Sequence, residues 1–253
     1  CHICGRRYKV FEICPKCSSY NLKVIGFGTQ RIEEELKNIF SNYEILRIDK
    51  DSIRNRKNLE LIIRKIHSNY PKIIIGTQII AKGFDLKDVK LAIVPNADLG
   101  LLMPDFRNYE RNVQLLIQFI GRIRTGGLVY IQTYEPENEI FNFVKNIDYE
   151  GFLNYEITKR KEMKFPPFYK LAIIEAKSKE ESKAIETINE IYEKIKDENI
   201  EILGPAPAPI QKIKNYYRWR IILRSRSYKK IKEIIEKIKN YNVKIVVDPY
   251  DLM

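Results

Sequence analysis

Apolar residues along this chain switch repeatedly between two spacings, and the switches mark its elements. Leu22–Phe27 is a short apolar run and predicts a strand, whereas Ile32, Leu36, Ile39 and Phe40 recur at helical intervals. A second strand is predicted at Tyr43–Ile48, and Leu59, Ile62, Ile63 and Ile66 trace a second helix. Lys72–Gly76 holds three consecutive isoleucines, the pattern of a strand buried on both faces. Further strands are expected at Leu91–Pro95 and Leu128–Tyr134, with a long helix at Asn108–Arg124 between them. Strands alternating with helices predict a parallel sheet covered by helices on both faces.

The pattern then changes. Glu137–Met163 reads as mostly helical and stops at Pro166-Pro167. Tyr169–Ala176 predicts a strand, and Ser178–Glu198 an amphipathic helix with Ile185, Ile188, Ile191 and Ile195 on one face. Glu201–Leu203 and Arg218–Arg224 read as strands flanking a rigid loop, Gly204-Pro-Ala-Pro-Ala-Pro209. A helix follows at Tyr228–Tyr241 with Ile231, Ile234, Ile235 and Ile238 facing inward, then a last strand at Val243–Val247. The order β-α-β-β-α-β predicts a ferredoxin-like α+β domain. Neither an internal repeat nor a low-complexity tract interrupts the chain.

Composition adds little to that picture, but charge adds more. An apolar fraction of 44% and a charged fraction of 31% over 253 residues are globular values, enough for one large domain or two ordinary ones. No apolar run reaches membrane-spanning length and no secretory leader is visible, so a cytoplasmic location is expected. The chain opens on Cys1, which suggests a piece of something longer. The formal net charge is +12, and residues 203–253 hold 12 basic against 4 acidic side chains. A basic field so concentrated favours a polyanion, nucleic acid above all. Alternation along Arg218–Arg224 would set Arg218, Arg220 and Arg224 on one face and Trp219, Ile221 and Leu223 on the other. These three arginines, with Lys212 and Lys214, are the expected phosphate contacts, and Trp219 is expected in the core.

All four cysteines lie within the first 17 residues, as Cys1-x-x-Cys4 and Cys14-x-x-Cys17. Two such turns can supply the four thiolates of a tetrahedral Zn²⁺ site. Disulfides would require an oxidising compartment, which nothing in the sequence supports. A redox pair would normally open a helix, and neither pair does. Zinc would then hold a small fold together rather than catalyse.

Three segments carry polar chemistry. In Gly76-Thr-Gln-Ile-Ile-Ala-Lys-Gly-Phe-Asp85, small and polar residues follow a strand, the usual ligand side of a parallel sheet. There Gly83 would admit a phosphate or sugar close to backbone, and Asp85 could orient a hydroxyl or an arginine. In Gln118-Phe-Ile-Gly121-Arg122-Ile-Arg124, Gln118 could position a water or a nucleotide, and the paired arginines suit a transferring phosphoryl group. The same arginines also suit an ordinary helix C-terminus, closed by Gly126-Gly127. In Asp98–Arg111 the acidic and basic residues could form a structural ion-pair cluster.

Together these segments resemble the second motor lobe of superfamily 2 helicases. The whole chain resembles, more specifically, the C-terminal half of the primosomal replication-restart helicase family. The carriers are the C-x2-C pairs, Gly28-Thr-Gln-Arg-Ile-Glu-Glu-Glu-Leu36, Arg47-Ile-Asp49, Pro104-Asp-Phe-Arg107, Gln118 to Arg122, Ile131-Gln-Thr133, Pro166-Pro167, the Pro-Ala repeat, Tyr217-Arg-Trp219 and Asp248-Pro249. The resemblance implies an α/β architecture: a zinc-binding segment at 1–21, a RecA-like parallel-sheet helicase lobe 2 at 22–136, a helical linker at 137–165 and a ferredoxin-like DNA-binding domain at 166–253. It implies ATP-dependent 3′→5′ unwinding of DNA at stalled forks, with Mg²⁺ and ATP held jointly with a first lobe whose G-x-x-x-x-G-K-[ST] loop is not in this sequence. The implied partners are forked and single-stranded DNA, primosome proteins, a replicative helicase loader and single-stranded DNA-binding protein.

The implied roles are catalytic for Arg122 and Arg124, nucleotide-facing for Gly83, Asp85, Gln118 and Gly121, and DNA-facing for Thr77. Cys1, Cys4, Cys14 and Cys17 are the implied zinc ligands. The family has four C-x2-C pairs holding two zincs in an interleaved pattern, and the pairs here resemble the third and fourth, which serve different ions. The arginine motif departs from the family pattern: Arg124 stands where glycine is expected and Thr125 where the second arginine is expected. The competing reading is a non-catalytic adaptor that binds nucleic acid through a zinc module and a basic domain.

Overall fold

The computed structural model describes residues 11–14, 17–20, 28–49, 52–53, 56–68, 70–77, 89–102, 105–123, 126–250 and 252. The chain divides into two compact units, one including Asp98–Arg111 and Asp148–Met253, the other Val10–Ala97 and Asn112–Ile147. Among the described residues no helix is long and apolar enough to cross a membrane.

The second of these units is α/β. Helix α1 (Thr29–Ile39) leads into strand β1 (Glu44–Ile48), and helix α2 (Arg56–Ile66) into β2 (Lys72–Gly76). Strands β1 and β2 pair in parallel, with Leu46 opposite Ile74 and Ile48 opposite Gly76. Ile48 is fully buried under Leu59, Ile62 and Ile66 of α2, which explains the helical spacing of those three. The triple isoleucine was expected to be buried throughout, yet only Ile75 is; Ile73 and Ile74 stay partly exposed. With β1 as its one paired neighbour among the described residues, β2 has less cover than a central strand. A second parallel pair joins β3 (Leu91–Val94) to β4 (Leu128–Ile131). The predicted parallel pairing is therefore present as two two-stranded sheets among the described residues. The expected strand at Leu22–Phe27 lies outside them.

Further helices precede and follow strand β4 along the chain. The segment after β3, expected as a loop, contains one turn of helix, α3 (Asp98–Leu101). Helix α4 (Asn108–Ile120) buries Val113 and Leu116 and stops before Arg122 rather than at Arg124. The stretch expected as one helix over 137–163 is two, α5 (Ile140–Asn146) and α6 (Tyr149–Glu162). Ile147 takes a left-handed φ of 55° between them, and the Asp148 carboxylate accepts from the Gly151 N–H to cap α6. The chain passes from one unit to the other at this break.

In the unit containing Asp148–Met253, strand β5 (Lys170–Ser178), helix α7 (Glu181–Ile195), strands β6 (Glu201–Ile213) and β7 (Tyr216–Ser225), helix α8 (Tyr228–Lys237) and strand β8 (Lys244–Val247) follow in order. They build an antiparallel four-stranded sheet ordered β6-β7-β5-β8. Ala172, Ile174, Ala176, Ile221 and Leu223 on one sheet face meet Ile188, Ile191 and Ile195 of α7 and Ile231 and Ile234 of α8. Period-2 strands and period-3.6 helices thus bury one continuous apolar layer. The opposite face is covered in part by Leu171, Ile173 and Leu252, with Phe106, Phe165, Ile222 and Val246 packed beside them.

The proline repeat is where local expectation failed. Instead of a loop, Gly204-Pro-Ala-Pro-Ala-Pro209 is the middle of β6, with register shifts between Leu203 and Ala206 and between Pro207 and Lys212. Strand β6 lies at the sheet edge, where a residue lacking an N–H costs no ladder bond on its open side.

Candidate nucleotide and nucleic-acid contacts

The carboxyl ends of β1 and β2 lie side by side, because Ile48 faces Gly76 in register. Thr77 follows directly and is exposed there. At the end of β1, Asp49 accepts from the Thr29 hydroxyl at 2.9 Å and from the Ser52 N–H at 2.8 Å. Arg47 stands 3.3 Å from both Asp49 and Glu33. Burial pushes the Asp49 carboxyl up, but the Ser52 and Thr29 hydrogen bonds and the Arg47 charge together hold it below its ordinary value. It is therefore a fixed anion at the polar end of the sheet. Ser52, a hydroxyl three residues after Asp49, is the sequence signal for the Asx-type turn here. Gly83 and Asp85 lie outside the described residues.

Gln118 and Gly121 are exposed at the end of α4, and Arg122 is half-buried in the turn that follows. The Gly121 and Arg122 N–H groups close that turn on the Ile117 and Phe119 carbonyls. A Cβ placed on Gly121 would meet nothing closer than 3.5 Å, the Ile117 carbonyl oxygen. Packing among the described residues therefore does not require glycine there. Arg124 lies outside the described residues.

The third polar segment is a structural cluster. Asp105 pairs with Arg111 at 2.7 Å and accepts from the Arg107 N–H. Arg160 joins Glu110 at 2.5 Å and Glu156 at 2.8 Å. The rings of Phe106 and Phe165 stack 5.4 Å apart beside it.

At the amino end, Cys14 is half-buried and Cys17 exposed. The Ser18 N–H reaches the Cys14 carbonyl and the Cys14 N–H the Ser19 carbonyl, so this pair sits in a tight turn. Two cysteines three residues apart in one turn have the spacing of half a thiolate zinc site. Cys1 and Cys4 lie outside the described residues, and among those described no group of three or more ligating side chains gathers.

In the antiparallel sheet, Ile221 and Leu223 enter the helix-covered layer and Trp219 packs against it, its indole N–H 3.4 Å from Glu181. The five basic residues expected on phosphate do not form one surface. Arg224 is consumed internally: it forks onto Glu201 and donates to the Met163 carbonyl at 2.8 Å. That engagement takes up the Nε, Nη1 and Nη2 donors of the guanidinium on internal partners. Arg218 is tied to Glu175 at 2.6 Å and to the Ile210 carbonyl. Arg220 donates to the Leu252 carbonyl and has no ion-paired carboxylate among the described residues. Lys214 and Asn215 form the two-residue turn between β6 and β7, both with positive φ, 49° and 70°, and both exposed. Beside that tip Lys212 lies 4.0 Å from the centre of the Tyr217 ring, and Lys177 lies 5.9 Å from that of Tyr216. The interleaved aromatic and basic residues from Tyr216 to Arg220 are the readable signal at this tip.

Comparison with known proteins bears on both units. Residues 9–126 match the helicase conserved C-terminal domain, and residues 161–250 match the primosomal protein N C-terminal domain. The replication restart protein PriA of Bacillus subtilis is 36% identical over 233 residues, covering 90% of this chain and 29% of that protein. The PriA of Borreliella burgdorferi is 38% identical over 234 residues, covering 90% of this chain and 35% of that one. The PriA of Haemophilus influenzae is 34% identical over 233 residues, covering 90% and 32%. The chain thus spans about a third of the length of the curated relatives it matches.

Proposed function

We propose that this chain, which belongs to the replication-restart (PriA) helicase family, acts as the C-terminal part of an ATP-dependent 3′→5′ DNA helicase that restarts stalled forks and starts primosome assembly. The observation that carries this is the succession of two family domains in one chain, at residues 9–126 and 161–250. In this reading residues 1–21 belong to a zinc-binding region, 22–136 to a RecA-like second motor lobe, 137–165 to a helical linker and 166–253 to a ferredoxin-like DNA-binding domain. The sheet order β6-β7-β5-β8 with both helices on one face supports the last of these. The partners would be forked and single-stranded DNA, primosome proteins, the helicase loader and single-stranded DNA-binding protein, all in the cytoplasm.

Within the lobe, Arg122 would stabilise charge on the phosphoryl group of ATP, with Arg124 as its neighbour and Gln118 and Gly121 beside the nucleotide. The exposed glycine without a packing reason supports that placement. Gly83 and Asp85 would face the nucleotide from the loop after β2, and Thr77 would face DNA. ATP with Mg²⁺ supplies the phosphoryl group whose loss drives movement. Cys14 and Cys17 would contribute two thiolates to a structural zinc, Cys1 and Cys4 two more, either to the same ion or to another shared with cysteines elsewhere. On the basic domain, Lys212 and Lys214 at the β6–β7 tip are the open phosphate contacts.

The test joins this chain to the upstream part of the Bacillus subtilis relative and measures DNA-stimulated ATP hydrolysis. Turnover should fall by about 10³–10⁵-fold in Arg122→Ala if that arginine meets the transferring group. An unchanged rate removes Arg122 from the site. Failure of the parent itself to hydrolyse ATP while still binding DNA favours the adaptor reading.

A further inference from the structure

The face of the antiparallel sheet turned away from α7 and α8 carries an unusual row of charges. Glu175 on β5 stands directly opposite Arg220 on β7 and directly opposite Lys244 on β8. Arg218, one pleat along β7, takes the Glu175 carboxylate at 2.6 Å. These four side chains line a concavity of about 130 Å³ whose wall includes Ile173 and Val246, with Tyr250 at its edge. Among the described residues three cations therefore share a single carboxylate, and that carboxylate is already bonded to one of them. Lys244 is exposed and has no side-chain partner among the described residues. Arg220 spends one donor on the Leu252 carbonyl and has four left.

Such a guanidinium is costly to hold without a counter-charge. Burial pulls the Arg220 pKa down from its ordinary value, the Glu175 charge pushes it up, and neighbouring Arg218 pulls it down again. The surroundings strengthen the field. Arg107 and Arg111 both lie over the Tyr250 ring, 4.7 and 4.9 Å from its centre. Arg111 is neutralised by Asp105, whereas Arg107 has no carboxylate partner among the described residues. Charge is thus in excess on one side only, inside a concave, partly apolar wall that weakens screening.

We propose that this concavity is a phosphate-binding pocket, in which Arg220 forks onto a phosphate oxygen pair, Lys244 neutralises it from β8, and the Glu175–Arg218 pair fixes the floor. The pocket has room for a tetrahedral anion, and its cations converge on one point, which suits a single phosphate rather than a run of backbone. It rests on the proposed nucleic-acid role of this domain only for the source of that phosphate, which is either a nucleic-acid strand or a free phosphate compound.

The full chain is titrated calorimetrically with inorganic phosphate at an ionic strength held constant with chloride. Saturable one-to-one binding is expected, weakened about tenfold by Lys244→Ala and at least as much by Arg220→Ala. Arg220→Lys retains the charge but not the fork, and should recover only part of the loss. Lys244 is exposed, so its variant reports on the pocket even if the Arg220 variants fold poorly. An unphosphorylated twelve-residue oligothymidylate then serves as competitor. Competition with inorganic phosphate identifies the strand as the source; independent binding of the two identifies a free phosphate compound; phosphate binding without any oligonucleotide binding leaves the pocket standing and removes the nucleic-acid role. Absence of saturable phosphate binding, or equal affinity in the parent, Lys244→Ala and Arg220→Lys, overturns the proposal.

Discussion

At the scale of single residues, backbone geometry decides more than side-chain chemistry. Gly204 sits at the bulge of β6 with φ +105°, and a Cβ there would fall 2.8 Å from the Arg220 carbonyl oxygen. That atom is backbone in the adjacent strand and cannot swing aside. Gly204→Ala combines a conformation forbidden to alanine with this overlap, and should destabilise the domain by about 1–3 kcal/mol, read as a lower midpoint in denaturant. The sequence showed a glycine before prolines and suggested a turn; only the neighbouring strand reveals why no side chain fits. Arg224 teaches the same lesson for charge. It was legible as one of three arginines on one sheet face, but Glu201 and the Met163 carbonyl claim it, and both are remote in sequence.

At the scale of elements, helix α8 is bound to the end of α7 by charge as well as by its isoleucines. Glu198, just past α7, accepts from Lys230 at 2.9 Å and from Lys237. Hydrogen bonds from Lys237 and then Lys230 pull its carboxyl down from 4.5 to about 2. A carboxylate whose folded pKa lies below its unfolded value binds protons more readily when unfolded. Its contribution is therefore complete above about pH 4.5 and disappears as the pH falls towards 2. Stability measured across that interval should drop less steeply in Glu198→Gln than in the parent; identical slopes would mean the two lysines do no more than solvate the helix. The helix itself was legible from its isoleucine spacing. The lysines were legible only as a charged face, since their partner lies on another element.

At the scale of the whole molecule, charge is distributed unequally and so is its use. The chain carries +12 overall, but several of the cations in residues 203–253 are spent on internal carboxylates, Arg218 and Arg224 among them. The exposed cations of the β6–β7 tip, Lys212 and Lys214, which have no carboxylate partner among the described residues, should then dominate contact with a single strand. Affinity for an oligothymidylate should fall linearly with the logarithm of salt, by about 0.7 log units per phosphate contact. Replacing both lysines by alanine should flatten that slope by about two contacts, while Arg224→Ala should leave it unchanged. Equal flattening by Arg224→Ala would mean that its internal bonds open on binding.

What the sequence determined by itself was whatever depends on period, local punctuation and order. Isoleucines spaced three and four apart specified α2, α7 and α8, alternation specified which side of β7 faces the helices, and the sequence of motifs specified the family. Those signals are short in range, so they survive in one dimension. The tertiary structure decided what depends on a neighbour far away in the chain. The proline repeat became a strand because β7 lies on one side of it and nothing in the sheet lies on the other. The α5–α6 break fell at Ile147 and Asp148, where the chain changes unit. Above all, it sorted the arginines into those ion-paired, such as Arg218 and Arg224, and those such as Arg220 with no ion pair among the described residues. An arginine reads the same in every sequence, and its chemistry is set by the carboxylates and carbonyls that folding brings within hydrogen-bond reach.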